Sequence, residues 1–383
     1  MALEDDIRGM AKENSRPDYI LAGIVATLIV LGVLILASVS ASLSQEKFGN
    51  TYYFLNHQLL FGFLPGLILA FLFFKIRLDF LKKLAPILFL INLFLVAMVF
   101  LPKIGTTAGG ATRWLNLGPL SFQPSEFLKL TFILYLASWL TAQTSREKFA
   151  VKKTEKTFNT TFLAFLIVIV LIGLLLIFQP DISTLGTIAM TATIMYFLAN
   201  TPFWQSILII LLGAGGLLTL IKLAPYRAER LLVFFNPGIE PMGIGYQIKQ
   251  AIIAVGSGGI FGQGFGMSQQ QFGLFHLPQS ISDAIFAIFA EEAGFIGASI
   301  LILLFLIFLW RGLKISKERS DKFSQLASLG ITFWICLQAM INIGSIIGVL
   351  PLSGIPLPFI SYGGSALTAE LIGVGVLLNV SRV

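Results

Sequence analysis

With 383 residues, of which 56% are hydrophobic and only 12% charged, the chain lies far from a soluble domain, which carries about 25% charged residues, and reads as an integral membrane protein. Its formal net charge of +7 comes from basic residues dispersed among loops, not clustered with aromatics on one face, so nucleic-acid binding is not needed to explain it. One cysteine, Cys336, and two histidines, His57 and His276, exclude an intramolecular disulfide and a Cys/His metal cluster.

Apolar runs of roughly 20 residues recur, each able to cross a ~30 Å hydrocarbon core as helix. The ~10-residue alternating segments of a membrane barrel are absent. The fold class is therefore all-α: a polytopic integral membrane protein of about ten transmembrane helices. Spans are expected at 18–40, 56–74, 82–101, 124–142, 159–178, 182–200, 203–222, 283–310, 324–349 and 358–380. An even number places both termini on one side. Eighteen of the 26 Lys and Arg residues fall on the side of the N-terminus and six on the other, with Lys129 inside a span and Lys222 at the end of one. By the positive-inside rule both termini are cytoplasmic.

Residues 1–17 read as a charged cytoplasmic tail and 18–383 as one transmembrane domain. The first apolar run exceeds the ~7–15 residues of a signal h-region, so Ala37-Ser38-Val39-Ser40-Ala41 is not taken as a cleavage site. After the third span, Gly105, Gly109 and Gly110 lead to Arg113-Trp114 and Gly118-Pro119, punctuation that predicts an external turn. Two readings of Arg113 stand: a bidentate phosphate clamp, or a guanidinium snorkelling to headgroups beside an interfacial Trp114.

The fourth span opens Gln123-Pro124-Ser125-Glu126-Phe127-Leu128-Lys129. Pro124 suits a first helical turn. Glu126 and Lys129 are three apart, share a face and can pair, and a pair lining a polar cavity is preferred over one facing lipid. In Gln179-Pro180-Asp181 the acid is expected to cap the next helix.

Residues 223–282 form a long extracytoplasmic loop, a length that usually signals function. Arg227 and Arg230 would share a helical face there, as a diphosphate site or as contacts to lipid phosphates. Gly245 to Val255, with Lys249, predicts a short helix, and the glycine run from Gly256 to Gly266, holding Ser257, predicts re-entrant or interfacial backbone beside a polar cleft. No strand precedes that run and no Gly-Lys-Ser/Thr follows it, so a dinucleotide fold or P-loop is not indicated.

The eighth span is expected to begin at Asp283, after His276-Leu277-Pro278-Gln279-Ser280-Ile281-Ser282. An acid at the head of a span is either a functional group or an N-terminal cap. Glu291 lies eight residues on, about 12 Å along a helix, so the two are not a close carboxylate pair of the kind a glycosidase needs. Leu350 to Ser365, with three prolines, three glycines and Ser361, predicts a non-helical lead into the last span, a device also found in transporters.

Taken together, Arg113-Trp114, Gln123-Pro124-Ser125-Glu126 with Lys129, Gln179-Pro180-Asp181, Tyr226-Arg227 with Arg230, Gly245-Tyr246-Gln247, the Gly256–Gly266 run, Asp283 with Glu291-Glu292, and Pro356 to Ser365 resemble, in order and spacing, the SEDS family of bacterial shape, elongation, division and sporulation proteins, which includes FtsW, RodA and SpoVE. The ending Leu377 to Val383 is closer to FtsW than to RodA. The resemblance implies a peptidoglycan glycosyltransferase of the bacterial cytoplasmic membrane. It would polymerise lipid II at the outer face, in cell division, with a monofunctional class B penicillin-binding transpeptidase and other division or elongation proteins as partners. A lipid II flippase and a non-catalytic division scaffold are the rival readings.

Asp283 matches the family's essential acid, and its role is expected to be general base in an inverting transfer. The family often has His-Thr immediately before it, where this chain has Ile281-Ser282. The hydroxyl is kept and the imidazole lost. Arg113, Glu126, Lys129, Arg227, Arg230, Lys249, Ser257 and Ser361 are the candidates for substrate binding, the cations for a leaving diphosphate. A divalent cation, Mg or Mn, could assist, although no ligand cluster demands one.

Overall fold

The computed structural model describes residues 16–102, 104–108, 111–118, 120–149, 155–199, 201–223, 225–236, 243–268 and 281–382. Among them lie α1 (Tyr19–Phe48), α2 (Tyr53–Lys75), α3 (Leu78–Met98), β1 (Gly105–Ala108), β2 (Ala111–Leu117), β3 (Leu120–Phe122), α4 (Pro124–Phe149), α5 (Glu155–Phe178), α6 (Ile182–Leu198), α7 (Phe203–Leu223), α8 (Pro225–Phe235), α9 (Ile244–Ser257), α10 (Ile285–Lys317), α11 (Lys322–Ile346) and α12 (Gly364–Ser381). Helices α1–α7 and α10–α12 stand at the ten expected spans. Eight of them are long and apolar enough to cross a membrane. The other two are α4, which carries Glu126 and Lys129 near its head, and α6, whose 17 residues rise only about 25 Å. The chain is a multi-pass membrane protein.

The all-α expectation holds, with one local addition. Within the stretch read as a turn, β1, β2 and β3 form a small antiparallel sheet in that order, with Gly105 opposite Leu115 and Leu115 opposite Phe122. Ala111 and Leu115 of β2 are buried, and a bulge between their pairings, at Thr106/Thr107, shifts the register. Of the glycines that suggested a turn, Gly105 opens β1 and Gly118 follows β2, while Gly109 and Gly110 lie outside the described residues.

Lipid offers helices no hydrophobic reason to associate, so close packing by small residues and interhelical hydrogen bonds must hold the bundle. Helix α2 supplies both against α12. A Cβ on Gly62 would stand 2.9 Å from the Gly364 Cα, one on Gly375 would meet the Ala70 oxygen at 2.3 Å, and the Thr368 hydroxyl donates to the Gly62 carbonyl at 3.0 Å. Among the eight long apolar helices, α11 and α12 are the most enclosed and α7 is the least. Buried polar side chains with partners lie on α11 and α12, and also on α4, where Ser125, Glu126 and Lys129 face the bundle.

One end of the bundle is tied at Asp18, which caps α1 through the Leu21 N–H, accepts from Arg311 at 2.6 Å, and through its own N–H donates to the Ser381 hydroxyl. Arg319 donates to the Ser381 carbonyl beside it. The opposite end carries the sheet and the long loop.

In that loop the glycine run 258–266 lies directly against α10. Phe295 and Ile296 N–H groups donate to Gly259 and Ile260 carbonyls, while Gln263 and Gly264 N–H groups donate to Glu291 and Glu292 carbonyls. The exchange is possible because α10 is broken at Gly294, at φ 68° and ψ −170°, a region essentially reserved for glycine. A Cβ at Gly294 would stand 2.3 Å from the Gly262 nitrogen. Gly294→Ala should therefore cost about 2–4 kcal/mol from strain and overlap together, read as a lower melting temperature of the purified protein. An unchanged melting temperature would mean that the run is not pinned there.

Candidate active site

Sequence reasoning started the eighth span at Asp283, but α10 begins at Ile285, with Ala284 at the N-cap position and no side-chain cap. Asp283 thus lies in a turn ahead of the helix and does not cap it. Its partly buried carboxylate accepts from the Ser282 hydroxyl at 3.0 Å. The other oxygen faces Gly354, where a Cβ would come within 3.7 Å of it. Burial raises this carboxyl above the usual range; the Ser282 hydroxyl, its own backbone N–H and the charge of Arg230 oppose that rise without cancelling it.

Arg230, on α8, donates to the Leu352 carbonyl at 3.4 Å, and its Nε is buried with no partner among the described residues. The guanidinium therefore stands over the 350–363 loop on Asp283's side, with donor capacity to spare. The Arg227 side chain and residues 276–280 lie outside the described residues. Lys249 is exposed on α9.

Two further contacts fix the Asp283 turn. Ser361 accepts from the Leu357 N–H at 2.8 Å and donates to the Ser282 carbonyl, and the Tyr362 N–H donates to the Ile281 carbonyl at 2.8 Å. Gln58, on α2, holds the other side of the same loop, donating to the Ser361 carbonyl at 3.2 Å and accepting from Gly363 at 3.0 Å. Ser361 thus shapes the loop instead of standing free as a hydroxyl.

Glu126 and Lys129 pair as expected, at 2.8 Å and with 3% and 1% of their surfaces exposed. Sequence reasoning missed what the ammonium reaches next: Gln338 Oε1 at 2.7 Å, an oxygen that also accepts from Trp334 Nε1. Gln338 in turn donates to the Pro356 carbonyl and to Glu370 Oε1, and Glu370 Oε2 accepts the Phe359 N–H at 2.8 Å. Phe359 has φ 64°, an outlying conformation for a bulky residue. The network holds that strained residue two positions before Ser361. Glu370, an acid inside an apolar span, was visible to the same rule that singled out Lys129.

The remaining candidates are drawn into framework roles. Arg113, on β2, donates to the Gln179 carbonyl at 3.2 Å and to that of Pro180, closing the turn between α5 and α6. Asp181 caps α6 through the Thr184 N–H and accepts from Ser125. Ser257 donates to the Ala254 carbonyl and to Glu291 at 3.3 Å. Glu291 also accepts from Ser268, and Glu292 from Ser38 and the Gly266 N–H. Those two acids staple the glycine run, away from the Asp283 turn's contacts with the 350–363 loop.

The carboxylate, the guanidinium and the fixed loop give one place where a hydroxyl could lose a proton beside an anion-binding group. Among the described residues no three His, Cys, Asp or Glu side chains gather as a metal site.

The family of cell cycle proteins FtsW/RodA/SpoVE matches residues 19–383. Stage V sporulation protein E of Bacillus subtilis is 38% identical over 375 residues, 97% of this chain and 99% of its own. The probable peptidoglycan glycosyltransferase FtsW of Coxiella burnetii is 40% identical over 359 residues, 93% of each chain. Among solved structures, a chain from work on the structural coordination of polymerization and crosslinking by a peptidoglycan synthase complex superposes with a TM-score of 0.76 at 26% identity, covering 96% of this chain and 98% of that one. The rod shape determining protein RodA of Thermus thermophilus does so with a TM-score of 0.68 at 26% identity, covering 96% and 97%.

Proposed function

The chain belongs to the FtsW/RodA/SpoVE family, and we propose that it is the peptidoglycan glycosyltransferase that joins lipid II units into glycan strands in cell division, with Asp283 as its base. The supporting observation is the Asp283 turn: a carboxylate kept off the helix it precedes, fixed by the 350–363 loop and set within the field of Arg230.

Asp283 takes the proton of the acceptor sugar hydroxyl as that oxygen bonds to the donor's anomeric carbon from the face opposite the lipid diphosphate. The bond to the diphosphate oxygen breaks and its electron pair leaves with the lipid, so the configuration inverts. A diphosphate is already a good leaving group and needs cations more than an acid. Arg230 is the foremost of these, with Lys249 and Arg227 as further candidates, whereas the Arg113 guanidinium is held by the Gln179 and Pro180 carbonyls. The Glu126–Lys129 pair acts through the loop. A divalent Mg or Mn ion beside Asp283 would need phosphate oxygens of the substrate as ligands. Positive-inside counting supports cytoplasmic termini and a site at the outer face of the cytoplasmic membrane. There a class B penicillin-binding transpeptidase is the expected partner.

The purified chain with that partner is expected to make glycan polymer from lipid II. Because burial raises the Asp283 carboxyl, its base form is lost at a higher pH than for a free Asp, ~3.9. The rate should therefore fall on acidification with a midpoint above the ordinary carboxylate range. A midpoint at that range would remove the buried base. The broken α10 is a device transporters also use, so movement of lipid II across vesicles without polymer would favour a flippase, and neither activity a scaffold.

A further inference from the structure

Asn342 lies near the end of α11 with 0% of its surface exposed. Its amide donates to main-chain carbonyls of two different loops, that of Asp283 at 2.8 Å and that of Ile355 at 2.7 Å. The opposite orientation of the amide would press its oxygen against both carbonyls, so the donor side is fixed. The Asn342 oxygen is buried with no partner among the described residues, a state native structures seldom leave unexplained. An apolar side chain would fill this place without that penalty, so what the NH2 group holds is the reason to have an amide here.

What it holds is specific. One carbonyl belongs to the residue that carries the carboxylate, and the other follows Gly354, the residue facing that carboxylate's Oδ2. We propose that Asn342 is a positioning residue for Asp283, which by gripping the Asp283 and Ile355 carbonyls sets the separation between the carboxylate and the 350–363 loop, and hence where the acceptor hydroxyl meets the base. Asn342 itself touches no substrate. The inference rests on Asp283 being the base.

Asn342→Ala and Asn342→Leu are to be assayed on lipid II with the transpeptidase partner, beside the intact chain and Asp283→Asn, with the stoichiometry of lipid II binding measured for each. Displacing a base by about 1 Å costs on the order of 100-fold. The expected result is a fall of kcat of about 30- to 100-fold in both variants with KM and binding stoichiometry unchanged. Leucine fills the space without the donors, so a rate restored by Leu would assign Asn342 to packing and overturn the proposal. Stoichiometry falling in step with the rate would overturn it too, by showing a loss of folded protein. Full rates in both variants while Asp283→Asn is inactive would sink the positioning role alone, whereas an active Asp283→Asn would remove the base and this proposal together.

Discussion

Asp283→Asn should lower the rate of glycan polymerisation by about 1,000-fold or more, near the upper part of the ~10²–10⁴ that a positioned general base contributes. The substitution is isosteric, and the contacts that hold the turn are made by main-chain groups of Ile281, Ser282 and Asp283. The Ser282 hydroxyl still finds an amide oxygen to donate to. The geometry therefore survives while the group that accepts the proton is lost. Removing a partly buried charge also relieves a desolvation penalty, so the variant should melt no lower than the intact protein. Polymer length and rate from purified lipid II, with melting temperature alongside, separate loss of chemistry from loss of fold. Retention of the rate to within about threefold would put the base elsewhere. Asp283→Glu keeps the charge but moves it by one methylene, and should still lose on the order of 100-fold.

What could be read from the sequence depended on how far apart the partners lie. Glu126 and Lys129 were legible because a helix puts residues three apart on one face, and Asp181 because a cap is local. Gln338 lies 209 residues from Lys129, and nothing in a single sequence announces that pairing. Arg113 shows the same limit: its residue type suits phosphate, but two carbonyls 66 and 67 residues away already take its guanidinium. The break at Gly294 was hidden for a related reason. A glycine inside a helix is tolerated, and only the approach of Gly262 from another loop makes a left-handed residue necessary there. The sheet at 105–122 was missed because its strands are three to seven residues long and glycine punctuation outweighed their weak alternation. Asn342 and Gln58 carried no signal beyond being polar within apolar helices, yet both act on the loops around Asp283.

The buried network invites a second large effect, with an order that tests its electrostatics. Lys129 is its one cation, set between Glu126 directly and Glu370 through Gln338. Removing one partner of a buried pair leaves the other charge uncompensated and costs about 3–5 kcal/mol. Lys129→Met strands the Glu126 carboxylate and abandons the Gln338 oxygen to Trp334 alone, so it should sit at the top of that range. Glu370→Gln leaves the Glu126–Lys129 pair intact and should cost less, about 1–3 kcal/mol, whereas Glu126→Gln leaves the ammonium with amide oxygens alone and belongs in the lower part of the about 3–5 kcal/mol range. The expected ranking of melting temperature is intact, then Glu370→Gln, then Glu126→Gln, then Lys129→Met. Activity should follow a different order. Glu370 holds the strained Phe359 N–H directly, so Glu370→Gln, whose remaining oxygen cannot serve both Phe359 and Gln338, should lose more polymerisation per degree of melting temperature than Glu126→Gln. Equal melting temperatures for all three variants would mean that the charges are screened by water the bundle admits, and that the loop is held by its own backbone contacts.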